Sequence, residues 1–171
     1  VQDNWRNPLS WNVPVNDLAK IIDNAIMNGY TVAWGGDVSE AGFTRTGLAY
    51  MYDTKKLASM EGSDMAHWLK LAPAKRKNVV DSLGVNVPEV EPTQKQRQER
   101  FDNWELTEDH GMLIYGIAKD QNGKEYYMVK NSWGTTGDYK GVWYMTKNFI
   151  VANTMDFMVN KNAVPKDIRK K

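Results

Sequence analysis

Two side chains in this sequence have the right types and setting for acid–base chemistry. His110 sits in Asp109-His110-Gly111-Met112, and Asn131 opens Asn131-Ser132-Trp133-Gly134. An imidazole works as a base when a neighbour holds one ring nitrogen and the other nitrogen faces a nucleophile. An amide oxygen is such a neighbour. Unlike a carboxylate it orients the ring without adding negative charge, which suits a thiolate lying beside an imidazolium. Trp133 would cover the His–Asn bond and keep water from competing for it. Yet the chain contains no cysteine. Either motif alone is unspecific: a histidine at a strand start is usually a polar edge residue, and Asn-Ser-Trp-Gly alone reads as a turn with a packed indole. Together, on either side of a hairpin, they are far more specific.

The elements that must position this pair are legible in the patterning. Met112–Lys119 and Glu125–Lys130 are β-prone runs separated by Asp120-Gln121-Asn122-Gly123-Lys124, in which Asn122-Gly123 tolerates positive φ. His110 then starts the first hairpin strand and Asn131 ends the second, and an antiparallel hairpin returns to its starting level. A third run, Gly141–Thr146, follows a glycine-rich loop, and Thr154–Val159 forms a fourth. Upstream, Leu18, Ile21, Ile22, Ala25 and Ile26 make the stripe of an amphipathic helix, with Asn16 as N-cap and Gly29 as the stop. Tyr30–Trp34 follows as a buried strand ending at Gly35-Gly36.

Residues 39–104 differ in character and read as an elaborated excursion between two core strands. Segments near 64–71 and 73–83 are helical in pattern, the second ended by Gly84, and Val85–Pro92 is extended and proline-punctuated. Thr93 and Gln96 form a capping box opening a very polar helix through Trp104, with Phe101 and Trp104 as its expected anchors. A helix followed by consecutive antiparallel strands implies an α+β layout, a sheet or half-open barrel. The basic end, Lys166 to Lys171, reads as a solvated tail.

Composition narrows the function classes. A chain of 171 residues is one domain, or one with an insertion, and 42% hydrophobic with 25% charged residues is ordinary for a soluble protein. A net charge of +1 gives no electrostatic case for nucleic acid or a membrane surface. No run approaches the roughly 18 apolar residues that span a bilayer. Without cysteine there are no disulfides and no thiolate–zinc site. His67 and His110 lie in different contexts, with no local metal motif and no cofactor implied. His67, beside Trp68, reads as a helix residue without a chemical partner. The start at Val1 without Met suggests a processed product or a fragment. Seven Trp and eight Tyr fill the core or wall a cleft. A soluble, cytoplasmic protein is expected, with export or a periplasmic site as the alternative.

The motifs resemble the papain-like cysteine peptidases. The resemblance is carried by Asp109-His110-Gly111, by the hairpin, and by Val129-Lys130-Asn131-Ser132-Trp133-Gly134 with Gly141-Val142-Trp143-Tyr144-Met145. Val32-Ala33-Trp34-Gly35-Gly36-Asp37-Val38, the long insertion, and Val159-Asn160-Lys161-Asn162-Ala163-Val164-Pro165 resemble the bleomycin hydrolase/aminopeptidase C branch. The resemblance implies that residues 1–171 are the C-terminal, His/Asn-bearing half of such an enzyme. His110 would be its catalytic histidine and Asn131 the orienting asparagine. Trp133 would shield the pair and border the leaving-group side, with Ser132 and Gly134 supporting. Asp109 would contact substrate through its backbone, and Gly111 and the strand near Trp34 would line the specificity pocket. The nucleophilic Cys and the oxyanion Gln belong to the family's first half, absent here. The branch blocks its cleft with a C-terminal arm and assembles as a hexamer, so a homo-oligomer is a further implied partner state.

Three function classes follow. The first is a thiol aminopeptidase acting on peptides in the intact protein, this chain being inactive alone. The second is a non-catalytic binding or regulatory module on the same scaffold. The third is a glycan-binding β domain using exposed Trp residues.

Overall fold

The computed structural model describes residues 10–60 and 70–169. His67, Trp68 and most of the helix expected near 64–71 lie outside these residues. The chain folds in the order α1 (Val15–Met27), β1 (Val32–Gly36), β2 (Leu48–Ala49), α2 (Thr54–Met60), α3 (Pro73–Leu83), α4 (Gln94–Asp102), β3 (His110–Lys119), β4 (Glu125–Lys130), β5 (Val142–Thr146), α5 (Lys147–Asn153), β6 (Thr154–Val159) and α6 (Lys166–Arg169). The strands form one six-stranded sheet in the order β2-β5-β4-β3-β1-β6. All neighbours are antiparallel except β2 and β5. This is the expected α+β class.

Period-two alternation makes the sheet two-sided. Adjacent Tyr126 and Tyr127 of β4 face opposite ways. Tyr127 joins Val32, Trp34, Met112, Ile114, Val129, Trp143 and Met145 under Ile22 and Ala25 of α1 and Phe149 and Ile150 of α5. Tyr126 joins Tyr50, Leu57, Ala58, Val80 and Val87, so α2 and α3 cover the other side. The excursion is therefore built on a second apolar cluster. Glu89 bolts it to the core sheet, accepting from Met51 N and Thr146 Oγ1 and pairing with Lys124.

The hairpin forms as the sequence predicts. Asp120 Oδ1 accepts from Asn122 N and Lys124 N, Gly123 takes φ +82, and β4 spans Glu125–Lys130. The predicted helix is α1, its buried face including Leu18, Ile21, Ile22 and Ala25. Its cap differs. The helix begins at Val15 after Pro14, and Val15 N–H donates to Gln94 Oε1 of α4 at 3.0 Å, so a distant side chain replaces Asn16 as the N-terminal acceptor. Gly29 at φ +77 does end the turn.

Several expectations are corrected. The strand runs through Gly35 and Gly36, which pair with Gly111 and His110, and a Cβ on Gly36 would lie 2.3 Å from Asn153 O and from the Trp34 ring. The capping box of α4 is complete, but Phe101 and Trp104 remain 38% and 79% exposed and do not anchor it. Arginines do: Arg97 reaches the carbonyls of Val151, Ala152 and Thr154, and Arg100 reaches Ala152 O and Asn153 Oδ1. These carbonyls are the unpaired end of α5, which a cation suits. Residues 166–169 are helical, with Ile168 buried against Ile21 and Val164, and not a solvated tail. Helix α5 itself has no helical stripe long enough to be read in advance. Thr146 caps it through Phe149 N. Among the described residues no helix is long and apolar enough to cross a membrane.

Candidate functional site

The site begins where β1 and β3 end together. His110 pairs with Gly36 at the last rung of that ladder, and Asn131 follows the last residue of β4. The two side chains, 21 positions apart, meet: His110 Nε2 lies 2.9 Å from Asn131 Oδ1. An amide oxygen only accepts, so Nε2 carries the hydrogen, and in the neutral ring Nδ1 keeps its lone pair. Asn131 is 2% exposed, and its backbone N–H is spent on Gly141 O at 3.0 Å. Its Nδ2 is buried without a hydrogen-bond partner, so the oxygen end alone is anchored.

Trp133 covers this pair. Its ring centroid lies 4.9 Å from that of His110 at 41°, while 48% of the residue faces solvent. It is held from beneath by edge contacts with Phe43 (6.1 Å, 88°) and Trp143 (5.6 Å, 89°). Those two rings stack on each other at 5.4 Å and 4°, and Trp143 Nε1 donates to Thr44 O. The loop carrying Trp133 is drawn closed by Lys130, whose Nζ donates to Gly134 O at 2.8 Å and Gly141 O at 3.3 Å. Gly141, at φ +80, has no room for a side chain: a Cβ would lie 1.9 Å from Gly134 O. Ser132 and Gly134 are exposed members of this loop, Gly134 at φ +70. Lys130, Gly141 and Trp143 enter the sequence reading only as parts of the motifs, without a role in the site, and Phe43 does not enter it. Alternation along β5 marks Trp143 as an inward residue, but nothing local links Phe43 to Trp133.

The expected substrate-contacting residues divide. Gly111 faces open space, with nothing within 4 Å of a Cβ placed on it. Asp109 is exposed, but its N–H is spent on Gly36 O (3.2 Å) and its Oδ1 accepts from Val38 N (2.9 Å). Only its carbonyl stays available from the backbone. Trp34 points the wrong way for contact: it is 1% exposed in the core, with Nε1 donating to Thr154 Oγ1 at 2.7 Å. The expected contact therefore does not rest on its side chain. Beside Gly35, Glu108 has its carboxyl raised above the ordinary range, by desolvation first and the nearby Asp156 second. Among the described residues no group of three or more acidic, His or Cys side chains is arranged to hold a metal.

The site can orient an imidazole, keep its Nε2–H dry and present Nδ1 to a reacting group. Comparison with known proteins addresses the family and the fold. A stretch of 40 residues is 50% identical to cathepsin L1 of Drosophila melanogaster, covering 23% of this chain and 11% of that protein. Aminopeptidase C of Lactobacillus helveticus is 26% identical over 74 residues, 43% of this chain and 16% of the relative. The chain thus spans only a small part of the curated relatives it matches. The structure of PepW from Lactobacillus rhamnosis HN001 superposes with a TM-score of 0.55 at 20% identity, covering 90% of this chain and 29% of that one. That similarity establishes a shared fold. The sequence model of the Peptidase C1-like family matches residues 77–171, more than half of the chain and all of the hairpin, with His110, Asn131 and Trp133 inside it. The chain belongs to the Peptidase C1-like family, the papain-like cysteine peptidases.

Proposed function

We propose that this chain supplies the histidine and asparagine of a Cys-His-Asn site in a cysteine-type aminopeptidase. The observation that carries the reading is the 2.9 Å contact from Nε2 to the buried Asn131 Oδ1 under Trp133. With Nε2–H committed, Nδ1 takes the thiol proton and the resulting thiolate attacks the peptide carbonyl. His110 then returns that proton to the leaving amine. It next removes a proton from water, whose hydroxide displaces the thiolate and releases the acid. Exopeptidase action at the amino terminus is supported by the aminopeptidase C relative.

The nucleophile must come from polypeptide outside this sequence, which has no cysteine. Residues 1–171 would form the His/Asn-bearing unit, with 39–104 as its insertion. Leu113 and Met158, both exposed and flanking Ala33 on the outer side of the sheet, offer apolar surface for a cysteine-bearing partner. The isolated chain should be inactive, since no thiolate and no oxyanion donors accompany His110.

The test is hydrolysis of aminoacyl-fluorophores by the cysteine-bearing natural gene product, before and after thiol alkylation, and again with His110→Ala. Loss of turnover in both cases with folding intact is expected; activity that survives His110→Ala refutes the role of His110. The absence of cysteine favours one second reading, a non-catalytic module on the same scaffold. A natural product without cysteine and without hydrolysis would establish it.

A further inference from the structure

The backbone that presents His110 has little of its own to hold it. His110 pairs with Gly36 and Gly111 with Gly35, so no cross-strand side-chain pair stiffens the last two rungs of β1 and β3. Beyond His110 the ladder ends with one more backbone bond, from Asp109 N–H to Gly36 O at 3.2 Å. What takes its place is a reciprocal clamp between the two loops that leave the strands. Asp37, 1% exposed, accepts from Ser39 N (2.9 Å) and Ser39 Oγ (2.7 Å) on Oδ1, and from Thr107 N (3.1 Å) on Oδ2. Asp109 answers from the opposite loop, accepting from Val38 N. Each loop's carboxylate takes a backbone N–H of the other. Asp37 N–H is itself tied to Asn153 O at 3.0 Å, at the end of α5.

We propose that Asp37 is a positioning residue for His110, fixing the β3 start so that Nε2 meets Asn131. This assignment rests on the His110–Asn131 reading above. The chemistry explains why a carboxylate occupies a buried place among neutral donors, where desolvation is unfavourable. It offers up to four lone-pair sites, enough for two donors on one oxygen and one on the other. An asparagine would turn one of these oxygens into a second donor, facing either Ser39 or Thr107 N–H.

The experiment reads geometry without needing activity. The chain has two histidines, so nitrogen-15 spectra of the imidazoles are assigned with His67→Gln. In the unaltered chain His110 Nε2–H should be visible and exchange slowly with water. Asp37→Asn should speed that exchange about fivefold or more. Glu89→Gln, which removes a buried carboxylate on the far side of the sheet, should leave it unchanged at comparable loss of stability. If Asp37→Asn does not fold, Thr107→Pro removes the N–H that meets Oδ2, while also fixing φ there and restricting Leu106, and should give the same signature. Unchanged exchange in Asp37→Asn, or equal acceleration in Glu89→Gln, overturns the assignment while leaving the His110–Asn131 pair standing. No slow Nε2–H in the unaltered chain sinks both. Failure of both clamp variants to fold makes Asp37 a requirement of folding and likewise overturns a positioning role.

Discussion

Trp133→Ala measures how firmly the indole is seated over the His–Asn bond. A Trp side chain presents roughly 250 Å², and Trp133 is 48% exposed, so about 130 Å² leaves water on folding. At ~25 cal/mol per Å² that burial contributes about 3 kcal/mol. The edge contacts with Phe43 and Trp143 add to this. Closing-in of the loop subtracts, and because the site opens to solvent, water fills the gap and no internal cavity adds to the loss. We expect a net loss of about 3 kcal/mol, read as a fall of roughly 1.5 M in the urea midpoint at a slope of about 2 kcal/mol per M. Trp133→Phe should recover part of it, because the edge-on aromatic contact with Trp143 remains available. Trp133→Ala should also expose His110 Nε2–H and speed its exchange with water. A midpoint shift under about 0.5 M, with exchange unchanged, would show that the indole does not cover the pair, and the shielding argument would fall with it.

The remaining expectations concern the scaffold around the site. Gly141→Ala should cost about 3 kcal/mol in chemical denaturation, from an L-residue at positive φ and from a Cβ forced against Gly134 O; a loss below about 1 kcal/mol would mean the loop readjusts freely. Arg97→Ala strands the carbonyls of Val151 and Thr154 at the end of α5 and leaves Ala152 O to Arg100 alone. It should lower stability by about 3 kcal/mol and, by loosening α4, expose residues 93–102 to proteolysis. Glu108 is a carboxyl raised in the folded state by desolvation and by Asp156, so the fold binds its proton more tightly than the unfolded chain does. Its contribution is therefore fully present below the unfolded value and lost as pH rises through the raised one. Glu108→Gln should flatten stability against pH across that window, and a profile unchanged by the substitution counts against the Glu108–Asp156 repulsion.

Much of the architecture could be read locally because it is local. The hairpin needs only two β-prone runs and an Asp120–Lys124 turn that satisfies its own N–H groups through one carboxylate. Helix α1 needs only its apolar stripe, and the Thr93–Gln96 box closes within one turn. The meeting of His110 with Asn131 follows from the hairpin returning to its origin, so this pair too was open to reasoning along the chain.

What lay beyond local reasoning depends on contacts between distant segments. The N-terminal acceptor of α1 is Gln94, seventy-nine positions away, and no nearest-neighbour rule finds it. Helix α4 looks as though its aromatic residues should anchor it, yet two guanidinium groups do, because the unpaired carbonyls of α5 happen to lie beneath them. Trp34 reads as a pocket residue by position but turns inward, since Thr154 Oγ1 waits there for its N–H. The seat of Trp133 joins Phe43 from the first third of the chain to Trp143 near its end.

By itself, then, the sequence determined which residues meet along one hairpin, the buried stripe of α1, and the family the motifs belong to. Only the tertiary structure decided how that hairpin's end is braced: by Asp37 and Asp109 across two loops, by Lys130 across a third, and by an aromatic seat from the excursion. The physical reason is range. Alternation, capping and turn chemistry act over a few residues, whereas buried carboxylates and stacked rings act on whatever the packed chain brings beside them.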